Sequence, residues 1–485
     1  MTLLERIDHW VEVAPTSTAH QSGDRKLTFG QLGTQSDALA TYLIERYGND
    51  RAPVAVLGHR EPEMLVAFLG VVKSGRPYVP IDTALPDERI KHILAIAKPQ
   101  LVLTPPETAK LAQRNKSASP RLIRPDDPFY IIFTSGSSGS PKGTVITLGC
   151  LEHFLGWILK EQSFIEQGEI FLNQVPFSFD VSVMDFYCSL ATGGTVFSIS
   201  RDLVANPKAL YGALAESNIT TWVSTPSFAE MCLAERTFNG ALLERVHRFL
   251  LCGEILLPDT VRLLLDRFPG ASVWNLYGPT ETTVAATFVR VDRDLLEKYP
   301  TLPIGRPIAG SEVFLIDENR NVLPPGSRGE IVIKGPNVSP GYLGRSDLTA
   351  SRFFEDRDQR AYRTGDWGRF RDGLLFFEGR MDDQIKLNGY RIELGDVETN
   401  LRALSMVRDA AVLPALRNGK AQWLAAFVVP SADFKGSDSV LTHTLRKGLR
   451  ERLPAYMVPR KLVIMGSFPM TANGKVDRQK LAESL

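Results

Sequence analysis

The sequence predicts an α/β protein in which helix-covered sheets are followed by a small antiparallel, barrel-like subdomain and a compact α+β tail. Three observations predict it. Apolar β-type runs alternate with amphipathic helical stretches between residues 28 and 277. Short strands punctuated by Gly and Pro take over across 304–378. A polar segment, 379–389, then separates these from a tail with its own helices and strands.

In chain order, 28–46 reads as an amphipathic helix capped by Thr28, 53–58 as a buried strand and 61–74 as a helix. Strand 78–82, helix 86–97 opened by Pro86, and strand 101–104 continue the rhythm. The run from Phe129 is a strand that breaks abruptly into hydroxylated residues and glycine. A helix over 148–160, a strand over 171–175, a helix over 182–190 and strands over 221–226, 248–253 and 272–277 follow. The barrel-like part contributes strands at 313–317, 329–334 and 374–377. In the tail, helices over 393–404 and 440–452 flank strands at 410–413 and 423–429. The boundary falls near Asp382, which divides the chain into domains 1–381 and 382–485.

With 485 residues the chain is long enough for several domains and large cores. A net charge of +1 supplies no field for nucleic acid or an anionic membrane. Cys150, Cys188, Cys232 and Cys252 form no C-x-x-C pair, and the seven histidines show no ligand spacing, so neither a disulfide framework nor a zinc site follows. No apolar run reaches transmembrane length, and the N-terminus mixes charge through its apolar positions. The expectation is a cytoplasmic protein with no membrane insertion and no nucleic-acid partner.

The stretch that organises the chain runs from Phe129 to Gly143. Gly136, Gly139 and Gly143 allow positive φ and close approach, Thr134, Ser135, Ser137 and Ser138 add hydroxyl donors, and Lys142 adds charge: the parts of an anion-gripping loop. It is not a Walker loop, because Pro141 stands where the second glycine belongs and Gly143 where a magnesium-binding hydroxyl belongs. Taken alone, such a cluster marks a surface turn.

Further segments pair a carboxylate with a turn. Asp180 lies among aromatic and aliphatic neighbours, where an unpaired carboxylate is costly and where it is also placed to cap the following helix. Glu281 closes Tyr277-Gly-Pro-Thr280-Glu281, and Asp366 closes Tyr362-Arg-Thr-Gly-Asp; each reads in isolation as an ordinary turn. Lys475, in Asn473-Gly-Lys-Val-Asp-Arg478, reads in isolation as a solvated charge.

Together these segments, in this order, resemble the adenylate-forming superfamily of acyl-CoA synthetases, luciferases and nonribosomal adenylation domains, and the resemblance covers nearly the whole chain. It implies two mixed sheets in the N-terminal domain, a mobile C-terminal lid hinged at Asp382, and ATP with Mg²⁺ as cofactors. By resemblance, Thr134, Ser135, Gly136, Ser137, Ser138, Gly139, Lys142 and Thr280 bind ATP phosphates, while Gly253, Glu254, Asn275, Tyr277, Asp366 and Arg380 bind adenine and ribose. Glu281 is the implied metal ligand and Lys475 the implied catalytic residue, holding carboxylate and phosphate oxygens as charge rearranges.

Within the superfamily the segments 62–70, 178–185, 224–233 and 251–255 most resemble the branch that loads D-alanine onto a carrier protein, as in lipoteichoic acid D-alanylation. The implied substrate pocket is Asp180, which holds an α-ammonium, with Val181, Met184, Ser224, Leu250, Cys252, Leu276, Val284 and Ala285. No second charge is present, so a small amino acid is expected, D-alanine first. Leu276 departs from the small polar residue that the branch carries before the tyrosine, which keeps L-proline and L-alanine as alternatives; an acyl-CoA synthetase and an inactive nucleotide sensor are the other readings. Gly436-Ser-Asp-Ser-Val440 looks like a phosphopantetheine attachment site but reads as a helix cap, so the acceptor is a separate phosphopantetheinylated carrier protein.

Overall fold

The computed structural model describes residues 1–113, 121–136, 139–470 and 476–485. The chain divides into two compact units. The first gathers Met1–Asp82, Ala97–Ile132 and Gly143–Met381; the second gathers Thr83–Ile96, Phe133–Lys142 and Asp382–Leu485.

A nine-stranded mixed sheet forms most of the first unit, in the order Arg306–Pro307, Thr287–Val291, Ser272–Tyr277, Arg248–Cys252, Thr221–Ser224, Ile170–Asn173, Thr195–Ser198, Thr18–Ser22, Arg25–Thr28. Its centre is parallel, because helices make the crossovers, and antiparallel strands close both edges. Every residue of Thr221–Ser224 and Arg248–Cys252 is buried, as expected of strands covered on both faces. Side chains alternate between two cores. Val223, Leu250, Cys252 and Leu276 enter one, and Trp222, Phe249, Leu251 and Val273 enter the other.

A six-stranded sheet runs Gly341–Tyr342, Lys142–Thr147, Pro128–Thr134, Tyr78–Asp82, Val54–Gly58, Leu101–Leu103. Its helices start where the sequence places them. Thr28 caps Phe29–Tyr47 in a capping box with Gln31, an arrangement that contributes about 1 kcal/mol. The barrel-like part is a five-stranded antiparallel sheet built on one long strand, Gln359–Arg371. Arg328–Lys334 pairs along one edge of that strand; Phe353–Asp356 and Leu374–Arg380 share the other.

Two features differ from expectation. The hairpin Thr18–Ser22 with Arg25–Thr28 has no strong local pattern and is fixed by parallel pairing with Thr195–Ser198, far along the chain. Thr364-Gly-Asp366, a turn by composition, instead lies inside Gln359–Arg371, where a register shift at Asp366/Gly368 and Gly365 at φ +70° mark a bulge.

In the second unit the hairpin Gln384–Leu387 with Tyr390–Glu393 leads to helix Leu394–Arg402. The long hairpin Val407–Arg417 with Lys420–Pro430 follows, and Lys461–Ile464 adds to it in parallel. Helix Asp438–Arg452 covers this sheet with Leu441, Leu445 and Leu449, and Ser437 caps it by accepting from the Val440 N–H. That is the cap expected for the Gly436–Val440 motif. All four cysteines are buried and none is in a disulfide. Among the described residues no helix is long and apolar enough to cross a membrane.

Candidate active site

In a parallel sheet with crossover helices, ligand sites form beyond the carboxyl ends of the strands. Here three neighbouring strands end immediately before Thr225, Gly253 and Gly278. Gly253 is left-handed at φ +96°, and a Cβ built on it would lie 3.7 Å from the Thr225 and Val181 methyl carbons. Val181, Met184, Leu250, Cys252, Leu276, Val284 and Ala285, the expected pocket residues, all lie in one large apolar core.

Ser224 is not with them. One residue out of phase with Val223, it points to the opposite core, where its hydroxyl accepts from Trp222 Nε1 at 2.8 Å and donates to the Thr225 carbonyl at 2.9 Å. Strand alternation turns Thr225, the next residue, to the face of Val223, and its methyl stands, like that of Val181, 3.7 Å from a Cβ built on Gly253.

Asp180 precedes helix Val181–Ala191 and is half-buried. Its backbone is already helical and its side chain makes no capping hydrogen bond, so the capping alternative fails. The helix is tied to its neighbouring strand by Asn173 Nδ2, which donates to both oxygens of Asp185 at 3.1 Å. Ser198 Oγ donates to Asn173 Oδ1 at 2.8 Å, and His20 Nε2 lies 2.9 Å from Ser198 Oγ. The Ser198 proton is committed, so His20 is the donor. Burial pushes the Asp185 carboxyl well up and the His20 imidazole down to about 3.

The opposite wall is a strained turn. Thr283 and Val284 sit at φ +56° and +68°, a region that costs β-branched residues on the order of 1–3 kcal/mol each. The Ala285 N–H donates to the Thr283 carbonyl at 2.8 Å, closing a three-residue turn around Val284. The Cys252 thiol is directed at the Val284 carbonyl, 3.8 Å away. Gly278 permits the approach: a Cβ there would stand 2.7 Å from Ala285 Cα and 2.8 Å from Val284 O.

Glu281 is wholly buried in the short helical turn Thr280–Thr282, and the Tyr342 hydroxyl donates to its Oε1 at 2.7 Å. Nearby in the same unit, the Tyr277 hydroxyl donates to Asp366 Oδ2 while Arg380 Nη1 reaches Asp366 Oδ1 at 2.6 Å. Burial first, and then Asp366, hold the Tyr277 hydroxyl well above its ordinary pKa. Asn275 gives its amide to the Pro303 carbonyl at 2.8 Å, and Glu254 accepts from the Ser227 N–H at 2.9 Å. The sequence reading did not include Tyr342; no local signal marks it, because its partner is 61 positions away.

Inside the second unit, Thr134 Oγ1 is buried without a hydrogen-bond partner among the described residues. Ser135 Oγ donates to the Arg391 carbonyl at 2.8 Å and accepts from the Glu393 N–H at 3.2 Å. Gly139 is left-handed at φ +82°, whereas Gly136 serves by close approach, a Cβ there meeting the Ser140 carbonyl oxygen at 2.2 Å. Arg89 forms a 3.1 Å ion pair with Asp396, whose carboxyl burial pushes up to about 6. Lys142 is half-buried and Asp382 exposed. Ser137, Ser138 and Lys475 lie outside the described residues. Among the described residues no group of three or more His, Cys, Asp or Glu forms a ready metal cluster.

Comparison with known proteins identifies the family. The AMP-binding enzyme profile matches residues 7–123 and 106–343, and that of the AMP-binding enzyme C-terminal domain matches 396–475. The D-alanine–D-alanyl carrier protein ligases of Bacillus cereus (strain Q1) and Bacillus mycoides (strain KBAB4) are 44% identical to the chain, covering 99% of it and 99% of their own length. The solved structure of holo-PA1221, an NRPS protein containing adenylation and PCP domains, superposes with a TM-score of 0.84 at 28% identity, covering all of this chain and 84% of that one. The Vibrio cholerae adenylation domain AlmE, solved with glycyl-adenosine-5'-phosphate, shares the fold with a TM-score of 0.86 at 22% identity, covering 99% and 97% of the two chains. Family profiles across both parts of the chain, together with relatives this similar over its full length, show that the chain belongs to the AMP-binding enzyme family.

Proposed function

We propose that the chain is an AMP-forming ligase that activates D-alanine with ATP and passes the D-alanyl group to the phosphopantetheine thiol of a separate carrier protein, acting in the cytoplasm. The observation that carries the substrate class is Asp180: a half-buried carboxylate, not spent on capping, at the start of a helix whose Val181 and Met184 share an apolar core with Cys252 and Val284. A carboxylate there suits an α-ammonium, and the apolar wall suits an uncharged, apolar side chain. The name shared by the full-length relatives supports the same reading.

In the first step a carboxylate oxygen of the amino acid attacks the α-phosphorus of ATP and pyrophosphate leaves. In the second the carrier thiol attacks the acyl carbonyl, loses its proton and displaces AMP. The chain contributes positioning and charge stabilisation rather than covalent chemistry. Asp180 holds the ammonium, Thr134, Ser135, Gly136, Gly139 and Lys142 with Ser137, Ser138 and Thr280 bind phosphates, and Lys475 steadies the charge that moves between carboxylate and phosphate. The Thr134 hydroxyl, buried and unpartnered among the described residues, supports a ligand at that loop. Tyr277, Asp366 and Arg380 form the nucleoside end, with Gly253, Glu254 and Asn275 beside it. A carboxylate offers about four acceptor sites, so Asp366 retains capacity for ribose hydroxyls beyond Tyr277 and Arg380. Asp382 is the proposed hinge.

Mg²⁺ takes hard oxygen ligands, few of them from protein, and Glu281 with its one buried carboxylate fits that donor set. When bound, the ion would neutralise phosphate charge. Leu276 keeps L-proline and L-alanine as the second reading. Amino-acid-dependent ATP–pyrophosphate exchange with D-alanine, L-alanine, glycine, L-proline and L-serine tests the proposal. D-Alanine is expected to give the highest kcat/KM; preference for an L-amino acid would overturn the assignment.

A further inference from the structure

The stretch 337–342 grips the turn that carries Glu281 and Val284 at four points. Asn337 Nδ2 donates to the Thr282 carbonyl at 3.0 Å, and Thr283 Oγ1 donates to the Asn337 carbonyl at 2.8 Å. The Ser339 N–H donates to the Glu281 carbonyl at 2.9 Å, and the Tyr342 hydroxyl to its carboxylate. Asn337, Thr282, Thr283 and Ser339 are all fully buried. Asn337 is itself held, because its Oδ1 accepts from Ser311 Oγ at 2.7 Å, and Ser311 Oγ lies 3.2 Å from His153 Nε2.

This reciprocal grip sits where the backbone least favours its own conformation. Two consecutive β-branched residues with positive φ relax toward ordinary extended or helical geometry unless neighbours hold them. Local residues cannot do so alone: the Thr283–Ala285 hydrogen bond closes the turn but leaves its orientation to outside contacts. Asn337 supplies them on both sides of the Thr282–Thr283 peptide, immediately before the residue whose carbonyl faces the Cys252 thiol.

We infer that Asn337 is a positioning residue for amino-acid selection: by clamping Thr282 and Thr283 it fixes Val284 as a wall of the substrate pocket. Tyr342, on the same stretch, orients Glu281 separately. The inference rests on the ligase reading, with Val284 beside the amino acid, and assigns selectivity to a residue that touches no substrate.

The test is pyrophosphate exchange with amino acid and ATP varied independently, for Asn337→Ala, Thr283→Val and Thr283→Ser, each checked by thermal unfolding. Asn337→Ala and Thr283→Val each remove part of the grip and are expected to raise the D-alanine KM about 3- to 10-fold, leaving the ATP KM within about twofold. They are also expected to lower the preference for D-alanine over D-valine. Thr283→Ser keeps the hydroxyl and is expected to stay near wild type. If Asn337→Ala does not fold, Thr283→Val against Thr283→Ser carries the test. Equal rises in both KM values, or an unchanged D-alanine KM in a folded Thr283→Val protein, would overturn the inference while leaving the ligase reading intact. A wild-type protein that exchanges pyrophosphate with no amino acid would overturn both.

Discussion

Arg380 and Tyr277 converge on one carboxylate: Arg380 Nη1 lies 2.6 Å from Asp366 Oδ1 while the Tyr277 hydroxyl donates to Oδ2. Residues from a sheet strand and from the long barrel-like strand are thereby joined around a buried acceptor. Asp366→Asn keeps the shape but removes the charge and turns one of the two oxygens into an NH2 that must face either the Tyr277 hydroxyl or the Arg380 guanidinium. The expected result is a rise in the ATP KM of about tenfold or more, from loss of charge-assisted bonds, with a smaller change in the amino-acid KM. Exchange assays with ATP varied at saturating amino acid check it; a selective loss of amino-acid affinity would contradict the nucleoside role.

Asp180 makes the opposite prediction. Removing one partner of a buried charge pair costs about 2–5 kcal/mol, so Asp180→Ala should lower kcat/KM for D-alanine by at least roughly 30-fold. Calorimetric titration with a non-hydrolysable ATP analogue should show nucleotide binding unchanged. Unimpaired activation of D-alanine would remove Asp180 from the ammonium site.

Glu281 and Tyr342 bear on metal dependence. Tyr342→Phe removes the hydroxyl that holds Glu281 Oε1 and keeps the ring, which packs edge-on against Phe353 at 5.4 Å between centroids. Loss of such a supporting bond typically weakens metal affinity about 10- to 100-fold. The Mg²⁺ concentration for half-maximal exchange should rise in Tyr342→Phe, and Mn²⁺ titrated with nucleotide and followed by its paramagnetic signal should bind more weakly. An unchanged Mn²⁺ isotherm would separate Glu281 from the ion.

His20 predicts a stability profile. It is buried and its pKa is held near 3, down from 6.5. Between those values the unfolded chain binds a proton that the folded chain does not, so stability is full above pH 6.5 and falls as pH drops. At pH 5 the loss from this group is about 2 kcal/mol. His20→Gln should therefore shrink the drop in thermal midpoint between pH 7 and pH 5. Equal drops in both proteins would assign the acid sensitivity elsewhere.

The parts of this molecule that were legible in sequence are those where local chemistry and tertiary environment agree. Helix Phe29–Tyr47 and the strands Thr221–Ser224 and Arg248–Cys252 follow directly from a cap and from apolar runs. Ser224 was misplaced because motif matching ignores the parity of a strand, and one step along the backbone exchanges the two cores. Tyr342 and Asn337 were invisible for a different reason. Their value lies in partners 61 and 55 positions away, and neither local composition nor periodicity records such distances. Asp180 offered two readings of equal local merit, and its helical backbone and uncapping side chain removed the capping one.

The burial of all four cysteines bears on chemoselectivity. A ligase whose acceptor is a thiol releases a thioester, and any thiolate on its own surface would compete for that acyl group or trap the acceptor as a mixed disulfide. Cys188 and Cys232 are sealed in the cores, where burial pushes the first thiol well up and the second to about 12. Cys252, the one thiol beside the proposed substrate, directs its proton at the Val284 carbonyl. Burial of this kind leaves the proposed acyl transfer to the carrier's thiol.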